Sequence, residues 1–258
     1  MIVTTDVHDE SRIRVITLSD PARRNAIGDE LRNGLAEAVA AATADAECRA
    51  IVITGANEAF SAGGELASMP TEPDAIRRRI GTLHEIVRQL VEARQVVISA
   101  VDGVAFGSGM SLAAAADLVI ASERSTFGCT FGRVGLIPDV GFMWSVPRRI
   151  GLRRTRLMVF QNAVIEADAA LEWGLVDLLS PAGGALELAL ENARRIIRTP
   201  AATLAAAKSM LMTNHPDVDA VLDDEMSRQI DLLGTKEFAE AREAFLSRGR
   251  RPKTPASS

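Results

Sequence analysis

The chain predicts an α/β layered fold followed by an all-helical region, and three observations lead there. Short β-branched and apolar runs alternate with long segments of helical periodicity over the first two-thirds of the chain, the pattern of helices layered on a sheet. Two of those runs pass into small-residue bends rich in glycine, one from Phe60 to Leu66 and one from Asp102 to Gly109. From about Gly183 onward strand signals vanish and helical segments remain. These features divide the chain into an α/β core over 1–182 and a helical region over 183–258.

The elements follow in order. Residues 13–18 (Ile-Arg-Val-Ile-Thr-Leu) read as a strand ended by Ser19-Asp20-Pro21, a turn signal. A helix is predicted over 29–44, with Leu31, Leu35, Ala38 and Val39 on one face. Residues 50–54 form a continuous apolar run, the kind buried on both faces of a parallel sheet. After the first bend and a turn between Pro70 and Pro73, a long helix spans about 74–94. Its apolar stripe is Ile76, Ile80, Leu83, Ile86, Val87 and Leu90.

The β-branched run at 96–101 stops at Asp102-Gly103. Gly107-Ser108-Gly109 and the helix-forming segment Leu112 to Ala116 come next. Residues 117–121 and 125–128 read as short strands, and 135–141 as a turn that begins a short helix. Helices are predicted near 185–198, 200–213, 218–233 and 236–247, and the tail at 250–255 is expected to fray. These last helices carry thin apolar faces. A neighbouring copy of the chain is the economical partner for such a region.

Composition narrows the class. With 258 residues, 47% hydrophobic and 24% charged, the chain has the make-up of an ordinary globular protein. A net charge of −5 argues against nucleic acid or an anionic membrane surface as the main partner. No basic-then-apolar start and no bilayer-length apolar run is present, so a cytoplasmic location is expected. Cys48 and Cys129 are far apart and match no metal spacing, nor do His8, His84 and His215, so no metal is expected.

Chemistry concentrates at the two bends. A strand, a glycine bend and a helix start aim free backbone N–H groups at one point, where a phosphate or a growing oxyanion is held. Either bend alone is equally a turn that packs a helix on a sheet. If adjacent strands carry both, one N–H from each converges on a single oxygen.

The motifs resemble those of the enoyl-CoA hydratase/isomerase (crotonase) superfamily. Phe60-Ser61-Ala62-Gly63-Gly64-Glu65-Leu66 is similar to its Phe-x-Ala-Gly-x-Asp-Leu segment. Asp102-Gly103-Val104-Ala105-Phe106-Gly107-Ser108-Gly109 resembles its second signature, and Arg24-Asn25-Ala26-Ile27 its N-terminal one. Gly135 to Asp139, Glu172 to Asp177 and the Phe238, Phe245, Arg251-Pro252-Lys253 end fit in the same order, so the likeness runs from Ile13 to Lys253.

The resemblance implies a spiral of β-β-α units with a C-terminal helical oligomerisation region, assembled as a homotrimer or a hexamer of two trimers. It implies an acyl-CoA substrate and no separate cofactor. The thioester carbonyl would sit between the N–H groups of Gly64 and Ser108, and the coenzyme A nucleotide near Arg23, Arg24, Ala62 and Leu66. The two arginines are equally readable as solvated charges.

The carboxylates depart from the hydratase pattern. Where hydratases carry two glutamates, this chain has Ser111 and Phe131. Asp139 takes the place of the acid in other branches, and its surroundings look most like the epoxyphenylacetyl-CoA and enoyl-CoA isomerases. Phe106, Met110, Phe131, Phe142 and Trp144 are the apolar groups expected around it, raising its pKa towards that of a general base. Pro138-Asp139 before a helix is also an N-cap signal.

A double-bond isomerase with Asp139 as acid and base is therefore expected. A hydratase of low activity and a non-catalytic acyl-CoA-binding scaffold are the alternatives. A serine hydrolase is disfavoured, because no histidine lies in a motif near Ser108 or Ser111.

Overall fold

The computed structural model describes residues 2–10 and 12–248; the tail expected to fray at 250–255 lies outside them. The chain forms two compact units, Met1–Arg198 and Thr199–Ser258.

The first unit is built on two sheets. The larger has six strands in the order β1 (Val3–His8), β2 (Ile13–Leu18), β3 (Ala50–Gly55), β5 (Val96–Val101), β7 (Leu118–Ser122) and β10 (Leu178–Ser180). All neighbours pair in parallel except β1 with β2. The smaller sheet has the order β4 (Ala59–Ser61), β6 (Val104–Phe106), β8 (Thr126–Gly128) and β9 (Val164–Glu166), with only β9 antiparallel.

A repeating unit links the sheets. β3 and β4 lead to α2 (Pro73–Glu92), β5 and β6 to α3 (Ser108–Ala114), and β7 and β8 to α4 (Phe142–Gln161). In each unit the first strand joins the large sheet, the second joins the small one, and a helix follows. This is the expected succession of β-β-α units.

The large sheet is buried on both faces, as the continuous apolar run at 50–54 requires. Ile51, Ile53, Val97, Val101 and Val119 face one core with Leu31 and Leu35 of α1 (Asp29–Ala44) and Leu83, Ile86 and Leu90 of α2. The alternate residues Ala50, Val52, Ile98, Ala100 and Ile120 face a second core. That core is closed by α6 (Ala185–Ile196), whose Ala185, Ala189 and Ala193 recur every fourth residue and are fully buried. Small side chains at that spacing let the helix lie close on the strands. The helix at 185–198, grouped above with the C-terminal region, thus packs on the large sheet within the first unit.

Several elements differ from expectation. The short helix predicted after 135–141 is the 20-residue α4, kinked where Gly151 adopts φ 71°. β1, β9, β10 and α5 (Ala167–Trp173) carry too little periodicity to be read from sequence. The second bend hides β6, three residues long.

The second unit consists of α7 (Ala201–Met212), α8 (Val218–Leu233) and α9 (Lys236–Arg248). The Asp217 carboxylate caps α8, accepting from the Ala220 N–H at 2.9 Å. Leu211, Val218, Met226, Ile230 and Phe245 stay exposed. Among the described residues no helix is long and apolar enough to cross a membrane.

The close contact of α6 with the sheet generates a test. Ala189→Leu adds volume where none is free, which costs about 1–3 kcal/mol. Urea unfolding should show a lower midpoint with an unchanged slope.

Candidate active site

The two bends meet because of strand pairing. β4 and β6 are parallel neighbours, with Ala59 opposite Val104 and Ser61 opposite Ala105. The segments that leave them therefore emerge side by side at one end of the small sheet. Gly63 has φ +101°, and a Cβ there would lie 2.7 Å from the Phe106 carbonyl oxygen. A Cβ on Gly109 would lie 2.7 Å from both the Cβ and the carbonyl oxygen of Ser61. Side chains at these two positions would hold the bends apart.

The segment from Arg24 to Ile27 braces the first bend. The Arg24 carbonyl accepts from the Ala62 N–H at 2.9 Å, and the Ile27 N–H donates to the Gly63 carbonyl at 2.7 Å. Asn25, fully buried, donates from Nδ2 to the Ala59 carbonyl at 2.6 Å and the Ala56 carbonyl at 3.0 Å. The Ser61 hydroxyl donates to the Asn25 carbonyl at 2.7 Å.

Ile27 also accepts from the Glu65 N–H at 3.4 Å, forming a parallel bridge opposite Gly64. In such a bridge the N–H of Gly64 itself faces the other way. Ser108 opens α3, and a first-turn N–H has no partner within its own helix. Among the described residues no backbone carbonyl takes either N–H.

One cleft gathers Ala62, Gly64, Leu66, Ser108, Phe131 and Asp139 from the expected set. Met69, Thr130, Val134 and Leu136 line it as well and were not singled out from sequence. The other expected residues do not line it. Arg23 is exposed and pairs with Asp20 at 3.1 Å and Glu65 at 3.0 Å. Arg24 is also exposed and braces through its main chain.

Met110, Ser111 and Phe142 are fully buried, and the Ser111 hydroxyl donates to the Gly107 carbonyl at 3.2 Å. Phe106 is partly buried, its ring against Gly128. Phe142 backs the cleft indirectly, its ring edge-on to Phe131 with centroids 6.2 Å apart. Trp144 instead lies under the Arg148 guanidinium, 4.3 Å from its ring centre.

Asp139 caps no helix. α4 starts from Gly141 with no side-chain cap, so the N-cap alternative is set aside. One carboxylate oxygen, Oδ1, is buried without a hydrogen-bond partner among the described residues. Burial raises this carboxyl above its ordinary value of 3.8, while Arg79 and His84 of α2 pull it back. The next residue, Val140, is held at φ +51°, a conformation that β-branched residues rarely adopt. The turn therefore presents the acid under backbone strain.

Arg79 was not anticipated. Its side chain is only 9% exposed, it donates from Nη2 to the Ile27 carbonyl at 3.0 Å, and its Nη1 pairs with Asp29 at 3.5 Å. The signal was present in the sequence. Arg79 follows Ile76 by three residues and precedes Leu83 by four, so a charge occupies the apolar stripe of α2. Among the described residues no group of three or more His, Cys, Asp or Glu side chains is placed to hold a metal ion.

Comparison with known proteins identifies the family. The family model for enoyl-CoA hydratase/isomerase matches residues 8–253. The chain is 30% identical over 247 residues to the 1,2-epoxyphenylacetyl-CoA isomerase of Escherichia coli (strain K12), covering 93% of this chain and 94% of the relative. It is 31% identical over 243 residues to the 2,3-dehydroadipyl-CoA hydratase of the same strain, covering 94% and 95%. The structure superposes on the crystal structure of an enoyl-CoA hydratase from Bacillus anthracis with a TM-score of 0.90, at 26% identity and 100% coverage of both chains. The β-β-α units are thus those of the crotonase fold, and the chain belongs to the enoyl-CoA hydratase/isomerase family, whose substrates are acyl-CoA thioesters.

Proposed function

We propose that the chain is an isomerase that moves a double bond along an acyl-CoA chain by a 1,3-proton shift. The observation that carries this reading is that Asp139 is the one carboxylate among the described residues lining the cleft that also holds Gly64 and Ser108. The Asp139 carboxylate takes a proton from the carbon between the thioester carbonyl and the double bond. The C–H electron pair enters the conjugated system, and negative charge collects on the thioester oxygen. The N–H groups of Gly64 and Ser108 hold that oxyanion; donors of this kind are typically worth about 2.7–4 kcal/mol each. The Asp139 carboxyl then returns the proton two carbons further on.

One acid/base completes this cycle. Adding water across an alkene is helped by a second carboxylate, and Phe131 and the buried Ser111 provide none. Arg23 and Arg24 at the surface are proposed to meet the phosphates of coenzyme A, with Ala62 and Leu66 along its path. We assign the exposed apolar residues of α7 to α9 to contacts between copies in a trimer or a hexamer. Light scattering during size-exclusion chromatography should therefore give a mass of three or six chains; a monomer would remove this assignment.

Asp139→Asn tests the chemistry. Isomerisation of a 3-enoyl-CoA should fall to background while binding of a saturated acyl-CoA persists, and the wild-type chain should hydrate crotonyl-CoA far more slowly than it isomerises. Faster hydration than isomerisation would favour a hydratase. No turnover of any thioester despite binding would favour a scaffold.

The same substitution has a stability signature. The folded chain holds the Asp139 proton more tightly than the unfolded chain does. The group therefore favours the native state most below pH 3.8 and opposes it as pH rises through the raised folded value. Asp139→Asn should raise Tm at neutral pH, by a margin that shrinks towards pH 3.8. Scanning calorimetry across that range checks the trend.

A further inference from the structure

We infer that Arg79, held behind the Gly64 bend, is a positioning residue whose fixed positive charge serves the Asp139 carboxylate before proton transfer and the thioester oxyanion after it. This inference rests on the proposed isomerase reaction. In that reaction one negative charge moves from the carboxylate to the oxygen at Gly64 and Ser108. A cation near both ends holds the charge throughout its move.

The geometry places Arg79 at the oxyanion end. Its Nη2 lies 3.7 Å from the point where a Gly64 Cβ would stand. That same nitrogen donates to the carbonyl of Ile27, whose N–H and C=O clamp Gly63 and Glu65. The guanidinium is thus tied to the bracket that orients the Gly64 N–H.

The surrounding charges leave Arg79 with an attraction to spare. Asp29 of α1 lies 3.5 Å from Nη1, yet Nη1 is buried and makes no hydrogen bond among the described residues. Asp29 is 67% exposed and already accepts from Arg32 at 2.8 Å. Two buried guanidiniums therefore share one solvated carboxylate. Glu65, the other acid facing Arg79, is engaged by Arg23 at 3.0 Å and by the Ser68 hydroxyl at 2.7 Å.

Asp139 completes the set. The charged groups that face it are Arg79 and the exposed His84, both on α2. Burying a cation with an unmet donor is costly. A neutral side chain would fill the α2 stripe at lower cost, so packing alone does not account for an arginine here.

The test separates charge from bracing. Arg79→Gln keeps an N–H donor for the Ile27 carbonyl and removes the charge, whereas Arg79→Lys keeps the charge. The readout is the pH profile of kcat/KM for a 3-enoyl-CoA, with butyryl-CoA binding and Tm as controls. Arg79→Gln should move the midpoint of the acid limb upward by several tenths of a pH unit, because Asp139 loses its neighbouring cation. It should also lower kcat by about tenfold or more, with butyryl-CoA binding retained.

Arg79→Lys should keep the midpoint near wild type and recover part of kcat. A folded Arg79→Gln chain whose midpoint coincides with wild type overturns the inference. Should that chain fail to fold, Arg79→Met is measured against the same criterion. Asp139→Asn, assayed alongside, keeps the two ideas apart. Its full activity would overturn the reaction itself, while its inactivity together with an unmoved Arg79→Gln midpoint overturns only the role of Arg79.

Discussion

The parallel pairing of β4 with β6 is the constraint on which the site depends. Each strand is three residues long, too short to hold a position alone. Pairing brings the ends of both to one edge, and glycine contacts between the bends set their separation at backbone distance. The asparagine at 25 and the main chain from Arg24 to Ile27 then satisfy the polar groups of the first bend from behind. In the proposed reaction this gives a pair of amides fixed before any ligand arrives, which is what electrostatic preorganisation requires.

Around that clasp the molecule accepts arrangements that a stability-driven design would avoid. Asp139 holds a buried oxygen with no partner, beside a valine at positive φ. Arg79 is buried with an unmet donor, and Arg32 has one as well. Such groups are destabilising, and those at Asp139, which lines the cleft, and at Arg79, beside Gly64, are held there by support from the rest of the fold. The apolar cores on both faces of the large sheet supply that support.

Much of the fold was legible from sequence, because long periodic elements announce themselves. The stripes of α1 and α2 and the double-sided runs of β3 and β5 are set by how side chains alternate on a helix or strand, and the structure places them within a residue or two. Three short strands of the small sheet, β4, β6 and β9, were hidden, since three residues hold too little pattern to separate from a turn, whereas β8 was read at 125–128. α6 looked like part of the helical tail because its sequence fixes its helical state and not the surface it meets.

The sequence by itself determined the alternation of strands and helices, the two glycine bends and the Pro138-Asp139 turn, all of which are written in local composition. Only the tertiary structure decided that the bends adjoin, that the Asp139 side chain is free of capping, and that Met110, Ser111 and Phe142 lie behind the cleft. It alone set Arg79, whose place in the apolar stripe of α2 already pointed inward, beside Gly64. Local sequence sets backbone preference, but burial and through-space charge depend on segments tens of residues apart, and those meet only when the chain has folded.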